Sequence, residues 1–214
     1  MRRVKNPGAF IQFTAKQLSQ TLPADTSALT EACNALSARG LLAPYEDTDL
    51  IGSNGNVSQR SDHGGFVITA TQLASKWALA PADFARIENC ADNTIKYHGE
   101  RPPSSEALMH GYLYEQFPET TAIAHIHEAN DLLYPERPCW AELGMVETDR
   151  DAGGGTIETG KITAAAFTDA STYVILKNHR PDWDPNRTGT VAIGRTLEGA
   201  VERALVIHES LKPQ

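Results

Sequence analysis

Two histidines, His125 and His127, lie two residues apart in the segment AHIHEAN, residues 124–130. The segment follows an alternating run that is typical of a β-strand, in which side chains i and i+2 emerge on the same face. Both imidazoles can then bind one ion, with nitrogen-to-zinc distances of about 2.0 to 2.1 Å. Two strand histidines by themselves are more often hydrogen-bonded or partly exposed than metal-bound, so a metal site needs a third ligand.

His179 is the candidate for that third ligand. It ends the segment STYVILKNH, residues 171–179, whose β-branched and aromatic residues favour a buried strand. A side chain at the end of a strand can reach across to a neighbouring strand, although His179 could also be an ordinary strand-end residue. Three neutral imidazoles would leave one coordination position of a zinc ion open, as catalytic sites do.

An acid or base is supplied by Glu106 in the segment RPPSSE, residues 101–106. We expect Glu106 in the first turn of a helix, where the helix dipole favours a carboxylate. Beside a divalent ion it could take a proton from a carbon next to a carbonyl, and the ion would stabilise the resulting enediolate. The alternative is an ordinary carboxylate at a helix N-terminus. His110, one turn later, is expected to pack or to support a ligand, and surface positions are expected for His63, His98 and His208.

Two segments rich in small polar residues, SNGNVSQR (53–60) and ITAT (68–71), have two interpretations. They are turns if Gly and Asn provide positive φ angles there. They are part of an anion site if their side chains and backbone N–H groups surround a phosphate near a helix start. The candidate ligands for that anion are Asn56, Ser58, Thr71, Ser104 and Ser105.

The remaining patterns place these residues on helices and strands. Strands are expected at 64–69, through His125 and His127, and at 171–178. Loops are expected at 49–60 and 135–156, and a hairpin or loop at 88–101. Helices are predicted from Thr26 or Ser27 to Gly40, over a short stretch after Pro81, from Ser104 or Ser105 to Pro118, and over 157–167 and 196–211. The sequence predicts an α/β layered domain with a mixed, largely antiparallel central sheet.

Composition restricts the class of protein. With 214 residues, 41% hydrophobic and 21% charged, the sequence predicts one soluble domain over residues 1–214. The absence of a secretory signal pattern predicts a cytoplasmic protein. Cys33, Cys90 and Cys139 form no CxxC pair and are expected to be reduced. A formal net charge of -8 without a basic block argues against nucleic acid or a membrane surface as a partner.

Taken in order, the motifs resemble the class II aldolase/adducin family from about residue 27 to 211. The motifs are GNVSQR (55–60), ITAT (68–71), PSSE (103–106), HIH (125–127), GT (155–156), VILKNH (174–179) and VAIGRTLEGAVERALVIHE (191–209). The resemblance implies a three-layer α/β/α subunit, commonly a homotetramer with active sites between subunits. It also implies Zn²⁺, or Mn²⁺, Co²⁺ or Fe²⁺, held by His125, His127 and His179.

The resemblance further implies a lyase that cleaves a ketose phosphate or a similar hydroxy-carbonyl compound. Glu106 matches the acid/base glutamate of the aldolases, whereas the epimerases carry an aspartate there. Asn56, Thr71, Ser104 and Ser105 fall on phosphate-binding positions. Epimerisation, dehydration and decarboxylation are the alternative reactions of the same site, and a non-catalytic adducin-like interaction module is a further alternative.

Three departures from the family pattern bear on the substrate. Gln72 stands where a glycine usually follows the ITAT motif, so that a phosphate could be crowded there. The glycine that usually follows the third histidine directly is displaced to Gly189 by an insertion. The stretch between His127 and Gly155 is shorter than in the aldolases of the family, and Tyr134 is only a candidate for their catalytic tyrosine.

Overall fold

A computed structural model describes residues 11–22, 24–45, 51–91, 93–135, 140–168, 172–180 and 185–213. The strands are β1 (Thr14–Ser19), β2 (Asn56–Arg60), β3 (Phe66–Thr69), β4 (Phe84–Ala91), β5 (Thr94–His98), β6 (Ala122–Ala129), β7 (Met145–Glu147), β8 (Tyr173–Ile175) and β9 (Arg187–Gly194). The α-helices are α1 (Ser27–Ser37), α2 (Ala107–Gln116), α3 (Asn130–Leu133), α4 (Ile157–Ala166) and α5 (Leu197–Leu211), and a 3-10 helix spans Pro81–Asp83.

The strands form one sheet in the order β1-β5-β4-β3-β2-β6-β9-β8-β7. The pairs β1–β5 and β7–β8 are parallel, and the other neighbours are antiparallel. The sheet is therefore mixed, as the sequence predicts. Strand β6 lies inside it between β2 and β9, so every backbone group along its central part has a partner, and its side chains are held in fixed directions.

Residues of β6 alternate between two buried clusters. Ala124 and Ile126 pack in a cluster that includes residues of α1 and α5. Ile123 packs in a second cluster with residues of α2 and α4. Because strand side chains alternate between faces, His125 and His127 lie on the same face as Ile123. Both imidazoles therefore lie on the face covered by α2, the helix that Glu106 precedes.

The four long helices lie where the sequence predicts them. On α1 the apolar face is formed by Leu29, Ala32, Cys33 and Leu36, all of them buried. Helix α5 begins after Thr196, whose hydroxyl accepts a hydrogen bond from the N–H of Gly199. Helical spacing was a sufficient signal for α1, which buries one face, whereas the cap residues predicted for α1 and α2 make no side-chain cap hydrogen bond.

Several strands were not predicted. The segment Asn56–Arg60, expected as part of a loop, is β2, because β3 and β6 pair with its two sides and Val57 is fully buried. Tertiary pairing overrides the turn preference of Asn and Ser at these positions. Strand β7 lies within the predicted loop 135–156, and β1 and β9 were likewise missed.

The histidines expected on the surface differ from one another. His63 is exposed, as predicted. His98 is half-buried, and its Nε2 lies 3.0 Å from a carboxylate oxygen of Glu88. The prediction is wrong for His208, which is buried with its Nδ1 2.7 Å from the carboxylate of Glu128. That partner comes from β6, so the local sequence of α5 carried no sign of it.

Two further expectations concern the thiols and the membrane. Cys33 and Cys90 are free thiols, whereas Cys139 lies outside the described residues. Within the ranges that the structure describes, the helices are too short or too polar to cross a bilayer.

We predict that Thr196→Ala lowers the free energy of unfolding by about 1 kcal/mol, because α5 loses the hydroxyl that accepts from its first turn. Urea denaturation monitored by circular dichroism measures the change. Thr196→Ser keeps the hydroxyl and serves as the control. Equal losses in both variants would show that the methyl group, and not the hydrogen bond, stabilises this end of the helix.

Candidate active site

Three imidazoles meet at the edge of a cavity. His125 and His127 come from β6, and His179 follows β8 in a turn in which its N–H donates to the carbonyl of Leu176. The turn is possible because Asn178 adopts a left-handed backbone conformation with φ 53°. One ring nitrogen of each histidine lies within 4.8 Å of the others, and all three side chains are buried. The structure therefore brings together the three ligands predicted from the sequence.

Backbone carbonyls orient two of the rings. Nδ1 of His125 lies 3.0 Å from the carbonyl oxygen of Thr190, and Nδ1 of His179 lies 2.8 Å from that of Ala152. A carbonyl only accepts, so each Nδ1 carries the proton and each Nε2 is left with a free lone pair. In His127, Nδ1 is buried and has no hydrogen-bond partner.

The charge state of the rings also suits a metal. Burial, followed by the nearby histidines, lowers the pKa of His125 well below its usual value, and burial is the first cause of the same lowering in His127. These two imidazoles are therefore neutral at pH 7 and can act as nitrogen donors. Three imidazole nitrogens within reach of one point fit Zn²⁺ or a related divalent ion.

Gly189 makes the close approach of the rings possible. A Cβ at this position would lie 2.4 Å from Cδ2 of His179 and 2.8 Å from Cε1 of His125. The backbone of Gly189 also donates to the carbonyl of His179 and accepts from the N–H of Leu176, both at 2.9 Å. The displaced glycine thus packs directly on the third histidine despite the insertion, of which residues 181–184 lie outside the described part of the chain.

Glu106 occupies the residue before α2, not its first turn as predicted, and no side-chain cap closes this end of the helix. Its Oε1 accepts a 3.0 Å hydrogen bond from the N–H of Gly155, whereas Oε2 is buried without a partner. A Cβ on Gly154 would contact both Oε1 of Glu106 and Cε1 of His179, at 2.8 and 3.5 Å. The carboxylate therefore lies beside the third imidazole with one oxygen fixed and the other available.

A cavity of about 320 Å³ connects these groups. Its size lies at the lower end of the range for small-molecule sites. Besides the histidines and Glu106, it is lined by four of the predicted anion ligands, Asn56, Thr71, Ser104 and Ser105.

Ser58 is a correction, because it does not line the cavity. Its hydroxyl lies 2.7 Å from Nδ1 of His110 and 2.8 Å from the hydroxyl of Tyr114, and the side chain is fully buried. Both hydrogen-bond directions of Ser58 are used inside the protein, so it is not free to bind a phosphate. His110 is also fully buried, and burial lowers its pKa to about 3, which fits the packing role expected for it.

Gln72 retains the backbone conformation of a glycine. Its φ is 57°, in the left-handed region where glycine is favoured, and its side chain lies on the cavity wall. Gln72 therefore adopts a turn conformation that glycine would favour, and it contributes to the wall of the cavity.

Tyr134 does not line the cavity. Its hydroxyl donates to Oε1 of Glu147 at 2.9 Å. Burial, together with that carboxylate, raises its pKa to about 12. The candidate for the catalytic tyrosine therefore does not lie in the cavity with Glu106.

Three ionisable residues of the cavity were missed by the sequence analysis, namely Tyr45, Lys76 and Arg180. Burial, and next the charge of Glu106, raises the pKa of Tyr45 to about 12, so that its phenol is a proton donor or a neutral hydrogen-bond partner. Lys76 is buried, whereas Arg180 is exposed. An isolated Lys or Arg in a polar segment resembles a solvated side chain, and no spacing in the sequence distinguishes it.

Comparison with known proteins gives a consistent result. The sequence model of the Class II Aldolase and Adducin N-terminal domain matches residues 28–214. A methylthioribulose-1-phosphate dehydratase from Microcystis aeruginosa is 36% identical over 83 residues, which are 38% of this chain and 40% of that enzyme. A 5-methylthioribulose-1-phosphate/5-deoxyribulose-1-phosphate aldolase from Rhodospirillum rubrum is 29% identical over 161 residues, 74% of this chain and 69% of that enzyme.

Solved structures resemble the whole fold. An L-fuculose-1-phosphate aldolase from Thermus thermophilus gives a TM-score of 0.60 at 20% identity, covering 86% of this chain and 89% of that one. A second L-fuculose 1-phosphate aldolase gives a TM-score of 0.64 at 20% identity. The match covers 89% of this chain and 86% of that one. At this level of identity the likeness establishes the fold. It does not establish the reaction.

We predict that Gly189→Ala abolishes stoichiometric metal binding, because its methyl group would displace the rings of His125 and His179. Metal analysis of the purified variant by inductively coupled plasma mass spectrometry measures the loss. Gly153→Ala is the matched control, since a Cβ there meets no atom within 4 Å. Full metal content in Gly189→Ala would contradict the interpretation of Gly189 as the residue that makes room for the ligands.

Proposed function

The chain belongs to the class II aldolase and adducin family, and from that premise we propose that it is a metal-dependent lyase acting on a ketose phosphate or a similar hydroxy-carbonyl compound. The observation that carries the proposal is the meeting of three imidazoles with the free oxygen of Glu106 in one cavity. A non-catalytic adducin-like role would not require this complete set.

His125, His127 and His179 would hold the divalent ion, which is Zn²⁺ or else Mn²⁺, Co²⁺ or Fe²⁺. When bound, such an ion polarises a carbonyl group and stabilises negative charge that develops on its oxygen. The Thr190 and Ala152 carbonyls keep two of the imidazoles in the tautomer that binds metal.

We assign to Glu106 the transfer of a proton to or from C3 of the substrate. The N–H of Gly155 holds Oε1, so Oε2, which is buried and has no partner, would be the oxygen that takes and gives the proton. In carbon–carbon cleavage, the C3–C4 bond of a ketose breaks, the C4 hydroxyl loses its proton, and Glu106 delivers a proton to C3. In dehydration, Glu106 removes the proton from C3 while the C4 hydroxyl leaves as water. The same carboxylate position serves both reactions.

Cleavage is the reaction we propose first, because the sequence carries a glutamate at position 106 and the family includes aldolases. Dehydration is the second candidate, because the matching segment of a methylthioribulose-1-phosphate dehydratase is 36% identical to this chain. Cleavage needs a group that takes the proton of the C4 hydroxyl, and dehydration needs a group that protonates this hydroxyl as it leaves. Glu106 itself would take the C4 proton in cleavage before it returns a proton to C3. Tyr45 lines the cavity and stays protonated because its pKa is raised to about 12, so it would serve as the donor in dehydration.

We propose that the substrate carries a phosphate. Asn56, Thr71, Ser104 and Ser105 line the cavity with hydroxyl and amide groups, and the two serines immediately precede Glu106 and α2. The N-terminal end of this helix favours an anion. These contacts would hold the phosphate while the hydroxy-carbonyl end of the sugar lies at the histidines.

The sequence predictions about the whole subunit are also proposals. The two buried clusters support a three-layer α/β/α subunit formed as a single domain over residues 1–214. A homotetramer with active sites between subunits is proposed from the family resemblance. A cytoplasmic location, and partners limited to small molecules and further copies of the chain, are proposed from the composition.

We predict that Glu106→Gln lowers turnover by about 100-fold or more, because an amide cannot accept the proton, while the metal content stays unchanged. Turnover and metal analysis on the same preparation measure both effects. His127→Ala should instead lose the metal together with the activity. Glu115→Gln, an exposed position on the same helix, is the control. An active Glu106→Gln enzyme would exclude this carboxylate as the proton carrier.

Product analysis separates the two reactions. With 5-methylthioribulose 1-phosphate as substrate, cleavage between C3 and C4 gives dihydroxyacetone phosphate and an aldehyde. Dehydration gives a diketone phosphate that retains the whole carbon chain. We expect dihydroxyacetone phosphate, detected by coupled reduction and by mass spectrometry. Accumulation of the diketone without any aldehyde would replace the aldolase proposal with the dehydratase.

A further inference from the structure

A buried cation without an acidic partner lies in the cavity wall. Lys76 is only 3% exposed, and its Nζ donates to the carbonyls of Ser53 and Asn54 and to the Ser53 hydroxyl, at 3.0, 3.3 and 2.7 Å. All three acceptors are neutral. Among the described residues, no Asp or Glu oxygen lies within 4.0 Å of this amine.

Burying a charge without a counter-charge is unfavourable. Burial accordingly lowers the pKa of Lys76 to about 8, which still leaves most of the amine protonated at pH 7. The carbonyl dipoles satisfy its hydrogen bonds but do not neutralise it. An anion that enters the cavity would supply the missing negative charge.

The position of Lys76 connects it to the candidate anion ligands. Its acceptors, Ser53 and Asn54, stand just before Asn56 at the start of β2, and Lys76 itself follows Thr71 in the segment after β3. Both segments line the cavity. The amine therefore hydrogen-bonds to the segment that leads to Asn56 and belongs to the segment that follows Thr71, and both of these residues line the cavity.

We propose that Lys76 supplies the positive charge that makes the cavity select a substrate with a phosphate monoester over its unphosphorylated counterpart. The proposal rests on the proposed function in one respect, that the anion belongs to the substrate. It assigns specificity to a cation that none of the motifs includes. The neutral side chains around the cavity provide hydrogen bonds, and Lys76 provides the charge.

Arg180 is the competing cation. It lines the same cavity but is exposed, its Nε donates to the hydroxyl of Thr188 at 3.2 Å, and its guanidinium lies 5.6 Å from the centre of the Tyr134 ring. Solvent screens an exposed charge, so its contribution to anion binding should be smaller. Arg180→Met is therefore the matched comparison for Lys76→Met.

The test uses two ligands that differ only in the phosphate, glycolohydroxamate and phosphoglycolohydroxamate, titrated into the zinc-loaded protein by calorimetry. Lys76→Met should weaken the binding of phosphoglycolohydroxamate by about 10- to 100-fold, the range expected for loss of one positive charge near the phosphate in a partly buried site. It should leave the affinity for glycolohydroxamate unchanged. Arg180→Met should weaken phosphoglycolohydroxamate by much less.

Equal weakening of both ligands in Lys76→Met would overturn the proposal, since it would show that Lys76 only supports the loop at Ser53. The proposal would also be overturned if Arg180→Met, and not Lys76→Met, weakened the binding of phosphoglycolohydroxamate. If Lys76→Met does not fold, Lys76→Gln, which can still donate to Ser53, replaces it with the same expected outcomes.

A failure of the proposed function would look different, because neither hydroxamate would bind the unaltered protein. Inorganic phosphate is then titrated into the metal-free protein and its Lys76→Met variant. Binding that weakens in the variant supports the charge role of Lys76. No binding, or equal binding by both proteins, overturns it.

Discussion

The site depends on two hydrogen bonds from imidazoles to backbone carbonyls. Because Thr190 and Ala152 accept from Nδ1 of His125 and His179, the opposite nitrogens keep their lone pairs free for a shared ligand. Both carbonyls belong to backbone that the sheet or its adjoining loop fixes in place. The protein's own backbone therefore orients the rings of His125 and His179, whereas no such bond holds Nδ1 of His127.

The part of this arrangement that the sequence predicts is local. Helical spacing predicts α1, α2, α4 and α5, and the HIH spacing places two imidazoles on one face. The Glu106 motif and His179 follow from order along the chain and from family resemblance. What could not be predicted is pairing at a distance, as in β2, where turn-forming residues become a strand because β3 and β6 lie on either side.

The environments of several polar residues also depend on distant parts of the chain. Ser58 is bound by His110 and Tyr114, and His208 is bound by Glu128, so neither faces the solvent or the cavity. Lys76 is an ordinary polar-segment lysine in the sequence and a buried cation in the structure. In each case the partner lies on another element or in a distant part of the chain, or the burial comes from packing that no local pattern encodes.

The hydrogen bonds that Gly189 makes with His179 and Leu176 have a consequence for how this scaffold can diversify. The N–H of Gly189 lies 2.9 Å from the carbonyl oxygen of His179, so the two ends of the segment between these residues are hydrogen-bonded to each other beside the three imidazoles. Residues added or removed between His179 and Gly189 need not move the imidazoles. The segment is thus a natural position for loop grafting, through which enzymes on this scaffold can acquire new substrate preferences while keeping one set of ligands.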